Sequence, residues 1–346
     1  MSKRNGSSGV STGGSTARVF GRLAVAAGAA VAARGLFAGA GTLPERARQQ
    51  LERTNHRGET VSLTSGPVLA VAATAAAAAG APKGLRTAAV VAGLGAGAVG
   101  FYDDIVGARP DQRRDKGFRG HLGALREGRV SAGLVKVAGI GLAGLVAGRA
   151  VTRGRGARGV ADALLAGGVI AGTANLINLL DLRPGRALKA GLLLGTPLVA
   201  GRAGGIVAGP VGAAAALLPE DLDERTMLGD SGANALGALL GLGIAASTGT
   251  KGRAAVFAGL VALTAASEKV SFTKVIERTP VLRELDALGR RAPAAAETPR
   301  TGQTAAVADA HAALPQVGQS PVTGPITGEP PASESWGSAT ARTPGV

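Results

Sequence analysis

Three groups of oxygen-bearing side chains stand at the ends of apolar runs in this chain. Asp103 and Asp104 close the uncharged run Thr87–Tyr102. Asn175, Asn178 and Asp181 end the apolar stretch that begins at Ala163, and Asp230 immediately precedes the uncharged stretch Ser231–Thr250. Carboxylates and carboxamides are hard oxygen ligands suited to a divalent cation such as Mg²⁺. Placed where an apolar span meets water, they suit chemistry on a substrate that is partly lipid. Phosphoryl transfer onto a lipid phosphate needs a divalent ion for the pyrophosphate oxygens, cations for the remaining charge, and a carboxylate to hold or deprotonate the attacking phosphate. The segment Asp103–Arg129 supplies the cations, carrying Lys116, Arg119 and five further arginines, with His121 beside them.

Each group also has a plainer reading. Asp103-Asp104 can mark the water boundary of a span. Asp230 can be the N-cap of the helix that follows it. Asn175 and Asn178, three residues apart on one helix face, can hydrogen-bond to a neighbouring helix. Lys116, Arg119 and Arg126 can be topogenic or headgroup-contacting charges, and His121 a solvated loop residue.

The elements that must position these groups are membrane spans. The chain has 346 residues, 46% of them apolar, only 2% aromatic, and 56 glycines. A soluble core draws much of its buried area from aromatic rings, whereas a membrane bundle uses small residues that let backbones approach. The pairs Gly144/Gly148 and Gly237/Gly241 have that spacing. No cysteine is present, which excludes disulfides, thiolate nucleophiles and cysteine-bound zinc. The net charge of +15 is divided among segments between apolar runs and lacks interleaved aromatics, so a membrane protein with basic loops is expected and nucleic acid is not.

The expected architecture is an all-α, polytopic membrane bundle of about nine spans: Val19–Leu43, Val61–Ala81, Thr87–Tyr102, Val130–Gly148, Gly159–Leu180, Leu188–Gly201, Ala203–Leu218, Ser231–Thr250 and Ala254–Ser267. Lys136 lies near enough to one end of its span to snorkel. Residues 1–16 and the Pro/Ala/Thr-rich tail 292–346, which contains Trp336, are expected to be disordered, leaving residues 17–291 as the folded domain. Lys269–Arg291 reads as an interfacial amphipathic segment broken near Pro280, with Glu268, Glu284 and Asp286 as surface groups. Alternation places every oxygen-ligand group on one side, with most of the basic loops. By the positive-inside bias that side is the cytoplasm, although Arg149, Arg153, Arg155 and Arg158 dissent.

Three stretches carry a family resemblance. They are Asp103-Asp104, the run Asn175-Leu-Ile-Asn178-Leu-Leu-Asp181, and the run Leu228-Gly-Asp230-Ser-Gly-Ala-Asn234, with Asn55-His-Arg-Gly58 ahead of them. In order and sidedness they resemble the signatures of the polyprenyl-phosphate N-acetylhexosamine-1-phosphate transferases. This family includes phospho-N-acetylmuramoyl-pentapeptide transferase and the UDP-GlcNAc:undecaprenyl-phosphate GlcNAc-1-phosphate transferases. The resemblance spans about Arg46 to Arg291. It implies an enzyme of the cytoplasmic membrane, its site facing the cytoplasm, acting in cell-wall glycan synthesis. The implied cofactor is Mg²⁺ and the implied partners are a polyprenyl phosphate and a UDP-N-acetylhexosamine, with a homodimer left open. It implies Asn178 and Asp230 as metal ligands. Asp103 would orient or deprotonate the lipid phosphate, with Asp104 holding the geometry beside it. Lys116 would contact phosphate of the carrier or nucleotide, and Asn175 and Asp181 would line the nucleotide-sugar site, Asp181 among the catalytic carboxylates; Arg119 and His121, near Lys116 in the basic segment, are substrate-binding candidates by their own chemistry. Two departures stand out: Pro184 occupies the place of a second acid after Asp181, and no histidine occurs between His121 and His311. They leave open a catalytically degenerate relative acting as a scaffold or lipid-phosphate binder.

Overall fold

The computed structural model describes residues 13–291 except 56, 110–122, 124, 125, 127, 129 and 153. Lys116, Arg119, His121, His56, Arg153 and the tail with Trp336 therefore lie outside the described residues. The fold is helical, with one small hairpin. In chain order the elements are α1 (Gly13–Ala40), α2 (Glu45–Gln50), β1 (Glu52–Thr54), β2 (Thr60–Ser62), α3 (Ser65–Gly80), α4 (Arg86–Tyr102), α5 (Ala132–Val151), α6 (Gly156–Leu180), α7 (Arg186–Val199), α8 (Gly204–Leu222), α9 (Gly229–Ser247), α10 (Thr250–Ser267), α11 (Phe272–Arg278) and α12 (Pro280–Ala287).

Among the described residues five helices are long and apolar enough to cross a membrane, or six if the bent pair α10–α11 is one broken span. The expected count of nine is thus not confirmed. The reason is physical. At 14 residues α7 is about 21 Å long, and at 16 residues α3 is about 24 Å, both short of a ~30 Å hydrocarbon core. The helix α9 is buried along nearly its whole length inside the bundle.

α9 is the axis of the bundle and packs against α3, α4, α6 and α8. Glycine makes these approaches possible. A Cβ at Gly237 would lie 2.5 Å from the Thr173 carbonyl oxygen, and one at Gly241 2.8 Å from the Ile170 Cα. At the α5–α6 contact, Cβ atoms at Gly144 and Gly148 would fall 2.8 and 2.5 Å from the Gly167 backbone. Both pairs picked out by spacing are therefore contact faces, where small residues let backbones meet.

Three expectations are corrected. The second span starts at Ser65 instead of Val61, because Thr60–Ser62 pairs antiparallel with Glu52–Thr54. β-branched residues in this loop find extended partners there, and Ser62 also joins the loop before α9: its N–H donates to the Arg225 carbonyl (3.3 Å) and its carbonyl accepts from Met227 N–H (2.9 Å). Residues 13–16, expected to be disordered, form the first turn of α1. Asp286 is not a surface group. Its side chain is only 10% exposed, and both of its oxygens accept from Arg186, at 2.7 and 3.0 Å.

Candidate functional site

Four helix ends meet around one cavity of about 640 Å³. α4 contributes Asp103 and Asp104, α6 contributes Asn178 and its capping residue Asp181, α9 contributes Asp230, and α5 contributes its N-cap Ser131. Ser131 Oγ accepts from Leu134 N–H at 3.3 Å, which starts α5 beside the acids. Asp103 begins one wide turn, Asp103–Gly107, in which hydrogen bonds span five residues, a form often found at functional sites.

The two members of the Asp-Asp pair have different tasks. Asp104 faces the first turn of α9: Oδ1 accepts from Asp230 N–H at 3.0 Å and Oδ2 from Ser231 N–H at 2.9 Å. A carboxylate from one helix thus caps another and complements the positive end of its dipole. Asp230 is not its own helix's cap; with that task taken by Asp104, its side chain is left for the cavity. Arg53 of β1 donates to the Asp104 carbonyl and also lines the cavity, so the hairpin braces this turn.

The geometry depends on glycine at two positions. Gly229 has φ +63°, and a Cβ there would lie 2.8 Å from Leu63 Cδ2 and 3.1 Å from both Asp104 oxygens. At Gly100 a Cβ would sit 2.3 Å from the Asp230 carbonyl oxygen, so only glycine lets α4 pass this close to α9.

Asp103 and Asp230 share a cation. Lys136 Nζ lies 2.6 Å from Asp230 Oδ2 and 3.4 Å from Asp103 Oδ2. Sequence reasoning missed this role. A lysine in the second turn of an apolar helix reads as snorkelling, and the signal that would have found it is its place on the helix that follows the Asp-Asp loop. Asn234 was also missed as a site residue. Its Nδ2 donates to the Asp230 carbonyl at 2.7 Å and approaches Asn178 Oδ1 at 3.5 Å, while its own Oδ1 is buried without a hydrogen-bond partner among the described residues.

Asp181 stands between this cavity and a smaller one of about 110 Å³ that is also lined by Pro184, Asp221 and Glu224. Desolvation and the nearby carboxylates of Asp221, Asp230 and Asp104 push the Asp181 carboxyl well above its ordinary range, although the Gly229 N–H opposes them. Asp221 is buried and accepts from Gly185 N–H at 2.6 Å, which pins the loop after Asp181. The Asn55–Gly58 turn is held by Asn55 Oδ1, which accepts from the N–H groups of Arg57 (2.8 Å) and Glu59 (2.9 Å). From that turn Asn55 Nδ2 and Arg57 Nε reach Glu224, both at 2.9 Å, tying it to the loop that leads into α9.

Asn175 is not brought to the cavity. Its carboxamide donates to Thr264 Oγ1 of α10 at 3.1 Å, the interhelical bond that its spacing also allowed. Asp103, Asp104, Asn178, Asp181 and Asp230 do converge. Among the described residues no three acidic or histidine side chains are gathered closely enough to hold a metal ion by themselves. The chain matches no family model and no curated protein.

Proposed function

We propose that the chain is a membrane phosphotransferase that moves a phospho-N-acetylhexosamine from a UDP-sugar to a polyprenyl phosphate at the cytoplasmic face, releasing UMP. The observation that carries this reading is the meeting of five separately predicted side chains, from three helix ends, around one 640 Å³ cavity.

The donor set suits Mg²⁺. That ion typically takes one or two carboxylates and completes its shell with substrate phosphate and water, so a three-acid cage is not required. The ammonium lodged between Asp103 and Asp230 marks a point where positive charge is favoured. Asp230 and Asn178 would hold the ion, which when bound supplies charge neutralisation for the pyrophosphate oxygens. Asp103 would accept the proton of the attacking lipid phosphate. An oxygen of that phosphate forms a bond to the β-phosphorus, the bond from the β-phosphorus to the oxygen bridging the two phosphorus atoms breaks, and UMP departs with the electron pair. Lys136 would then exchange a carboxylate partner for a phosphoryl oxygen, and Asp104 would keep Asp230 in place through the cap of α9. Arg53 sits where a further phosphate contact is available.

The test is incorporation of label from a UDP-N-acetylhexosamine into lipid by membranes containing the chain, with Asp103→Asn and Asp230→Asn as comparisons. Near-complete loss in both variants is expected. Full activity in both rejects the assigned roles. A second reading, a lipid-phosphate binder without turnover, is favoured by Pro184 in place of a second acid. Retained polyprenyl-phosphate binding with no UMP release from the unmodified chain would select it.

A further inference from the structure

One turn into α9 a carboxamide stands among apolar side chains. Asn234 is the single polar residue in the stretch 232–246, and it is fully buried. Its Nδ2 carries two hydrogens. That nitrogen donates to the Asp230 carbonyl, one turn back, at 2.7 Å, and lies 3.5 Å from Asn178 Oδ1 on α6. One amide therefore addresses the backbone of Asp230 and the side chain of Asn178, the two residues given to the cation above. The distance between the two helices is fixed close by. One turn further along each, a Cβ at Gly237 would lie 2.6 Å from Ala174 Cα, so α6 and α9 meet there backbone to backbone. The other end of the carboxamide is unfavourable. Asn234 Oδ1 is buried with no hydrogen-bond partner among the described residues. A leucine of similar volume would escape that desolvation penalty, so packing does not account for a carboxamide at this position, whereas its amide nitrogen does.

We propose that Asn234 is a positioning residue: it makes the oxygen of Asn178, and not its nitrogen, the atom offered to the divalent cation, and keeps that oxygen in register with Asp230. The inference rests on the reading of Asn178 and Asp230 as cation ligands. A carboxamide can rotate to present either atom, and only its oxygen ligates a hard cation. With the Asn178 amide reversed, two N–H groups would face each other across the α6–α9 contact. As it stands, one lone pair of Asn178 Oδ1 faces Asn234, and the second is left for the cavity that Asn178 lines. At 3.5 Å the contact is at the outer limit of hydrogen-bond range, so it steers the amide instead of clamping it. Loss of such an orienting partner typically weakens metal binding about 10–100-fold.

The test is Mn²⁺ binding, with Mn²⁺ as the spin probe in place of Mg²⁺, followed by electron paramagnetic resonance on the full chain in detergent without nucleotide or lipid. Asn234→Leu should weaken Mn²⁺ binding about tenfold. In a chain already carrying Asn178→Ala, the same change should alter the affinity by less than about twofold, because no oxygen remains to be oriented. The melting temperature in EDTA should not fall, since leucine removes the unpartnered oxygen. A residue that merely packed the helix contact would lower it and would weaken Mn²⁺ binding equally in both backgrounds, and that pair of results overturns the positioning role. Unchanged affinity in Asn234→Leu, while Asn178→Ala and Asp230→Asn lose it, also overturns that role and leaves the ligand assignment standing. Unchanged affinity in Asn178→Ala and Asp230→Asn overturns the ligand assignment itself, and the inference with it. If Asn234→Leu does not fold, Asn234→Ala carries the same cycle, and an affinity equal to that of the unmodified chain overturns the proposal.

Discussion

The Lys136 ammonium lies 2.6 Å from the Asp230 carboxylate and so joins the second turn of α5 to the first turn of α9. Neither side chain is fully buried: Lys136 is 17% exposed and Asp230 26%. The pair is therefore dry enough to attract strongly and open enough to exchange partners with a phosphoryl group. Asp103, 3.4 Å from the same nitrogen, makes the lysine a hub. Removing the hub leaves two carboxylates facing each other across one gap.

Replacing Lys136 by Met should accordingly do more harm than removing a surface charge. Transfer activity is expected to fall about 100-fold, the usual scale for losing one preorganised charge at a phosphoryl centre. Stability should fall by about 1–3 kcal/mol, because the carboxylates lose a charge-assisted partner. Lys136→Arg should restore stability better than activity, since a planar fork cannot reproduce a compact ammonium between two acids. Label incorporation and thermal unfolding in detergent, measured on the same preparations, separate the two effects. Wild-type turnover in the Met variant refutes the hub.

Asp104 and Asp230 are adjacent in space and should fail differently. Asp104 accepts two N–H bonds at the start of α9, so Asp104→Ala removes a cap and should cost about 1–2 kcal/mol of stability. Asp104→Asn, which keeps one acceptor, should cost less. Asp230→Asn leaves the cap in place and should cost little stability while abolishing transfer. The decisive comparison is melting temperature against kcat across the three variants. Should Asp230→Asn prove the least stable of them, the division of labour assigned here is wrong.

The parts of this site that were legible in the sequence are those written as breaks in apolar runs. Asp103, Asp181 and Asp230 each stand where hydrophobicity stops, and a chain that returns every apolar run to alternate sides brings such breaks to one end of the bundle. Lys136 was illegible in that language, because one lysine inside an apolar run looks the same whether it reaches water or a carboxylate. The hairpin Glu52–Thr54/Thr60–Ser62 was missed for another reason. Three-residue strands are too short to show alternation, and part of their pairing is with Arg225–Met227, more than 160 residues away. Asp286 read as exposed because its partner, Arg186, lies 100 residues earlier. Long-range polar pairs leave no periodic trace in a sequence, whereas apolar faces do. The count of nine spans is not confirmed, because an apolar run does not show where its helix ends: α3 and α7 stop at 16 and 14 residues, short of what a single crossing needs.

Gly229 tests the backbone side of the site. Its φ of +63° and the 2.8 Å approach of a Cβ to Leu63 leave no room for a side chain. Gly229→Ala should destabilise by about 1–3 kcal/mol and disturb Asp230 at the same time, since the two are neighbours in the first turn of α9. Gly84→Ala is the comparison: nothing lies within 4 Å of a Cβ there, and its φ is not in the left-handed range, so little change is expected. Equal melting temperatures for the two variants would argue against a strained entry into α9.

Arg186 tests the far wall. It is 6% exposed and holds Asp286 with two hydrogen bonds and Thr273 Oγ1 with a third at 3.0 Å, while Lys189 Nζ donates to the carbonyls of Leu285, Asp286 and Leu288. These bonds fasten α11 and α12 to the start of α7, directly after the loop that carries Asp181 and Pro184. Burial works against the charged Asp286 carboxylate, but Arg186, Arg290 and Lys189 outweigh it and hold the carboxyl below its ordinary range. The sign follows from the lowered folded value. The latch contributes fully above the ordinary carboxylate range and is lost as pH falls through the folded-state pKa. Hydrogen exchange over 272–291 should therefore stay slow near neutral pH and, after correction for intrinsic rates, lose protection only in acid. Arg186→Met should remove that protection at neutral pH, since truncating one side of a buried ion pair costs about 3–5 kcal/mol. Asp286→Asn should show intermediate protection that does not change with pH. Protection of 272–291 that is identical in all three proteins would mean that these helices are held by their apolar contacts and not by the latch.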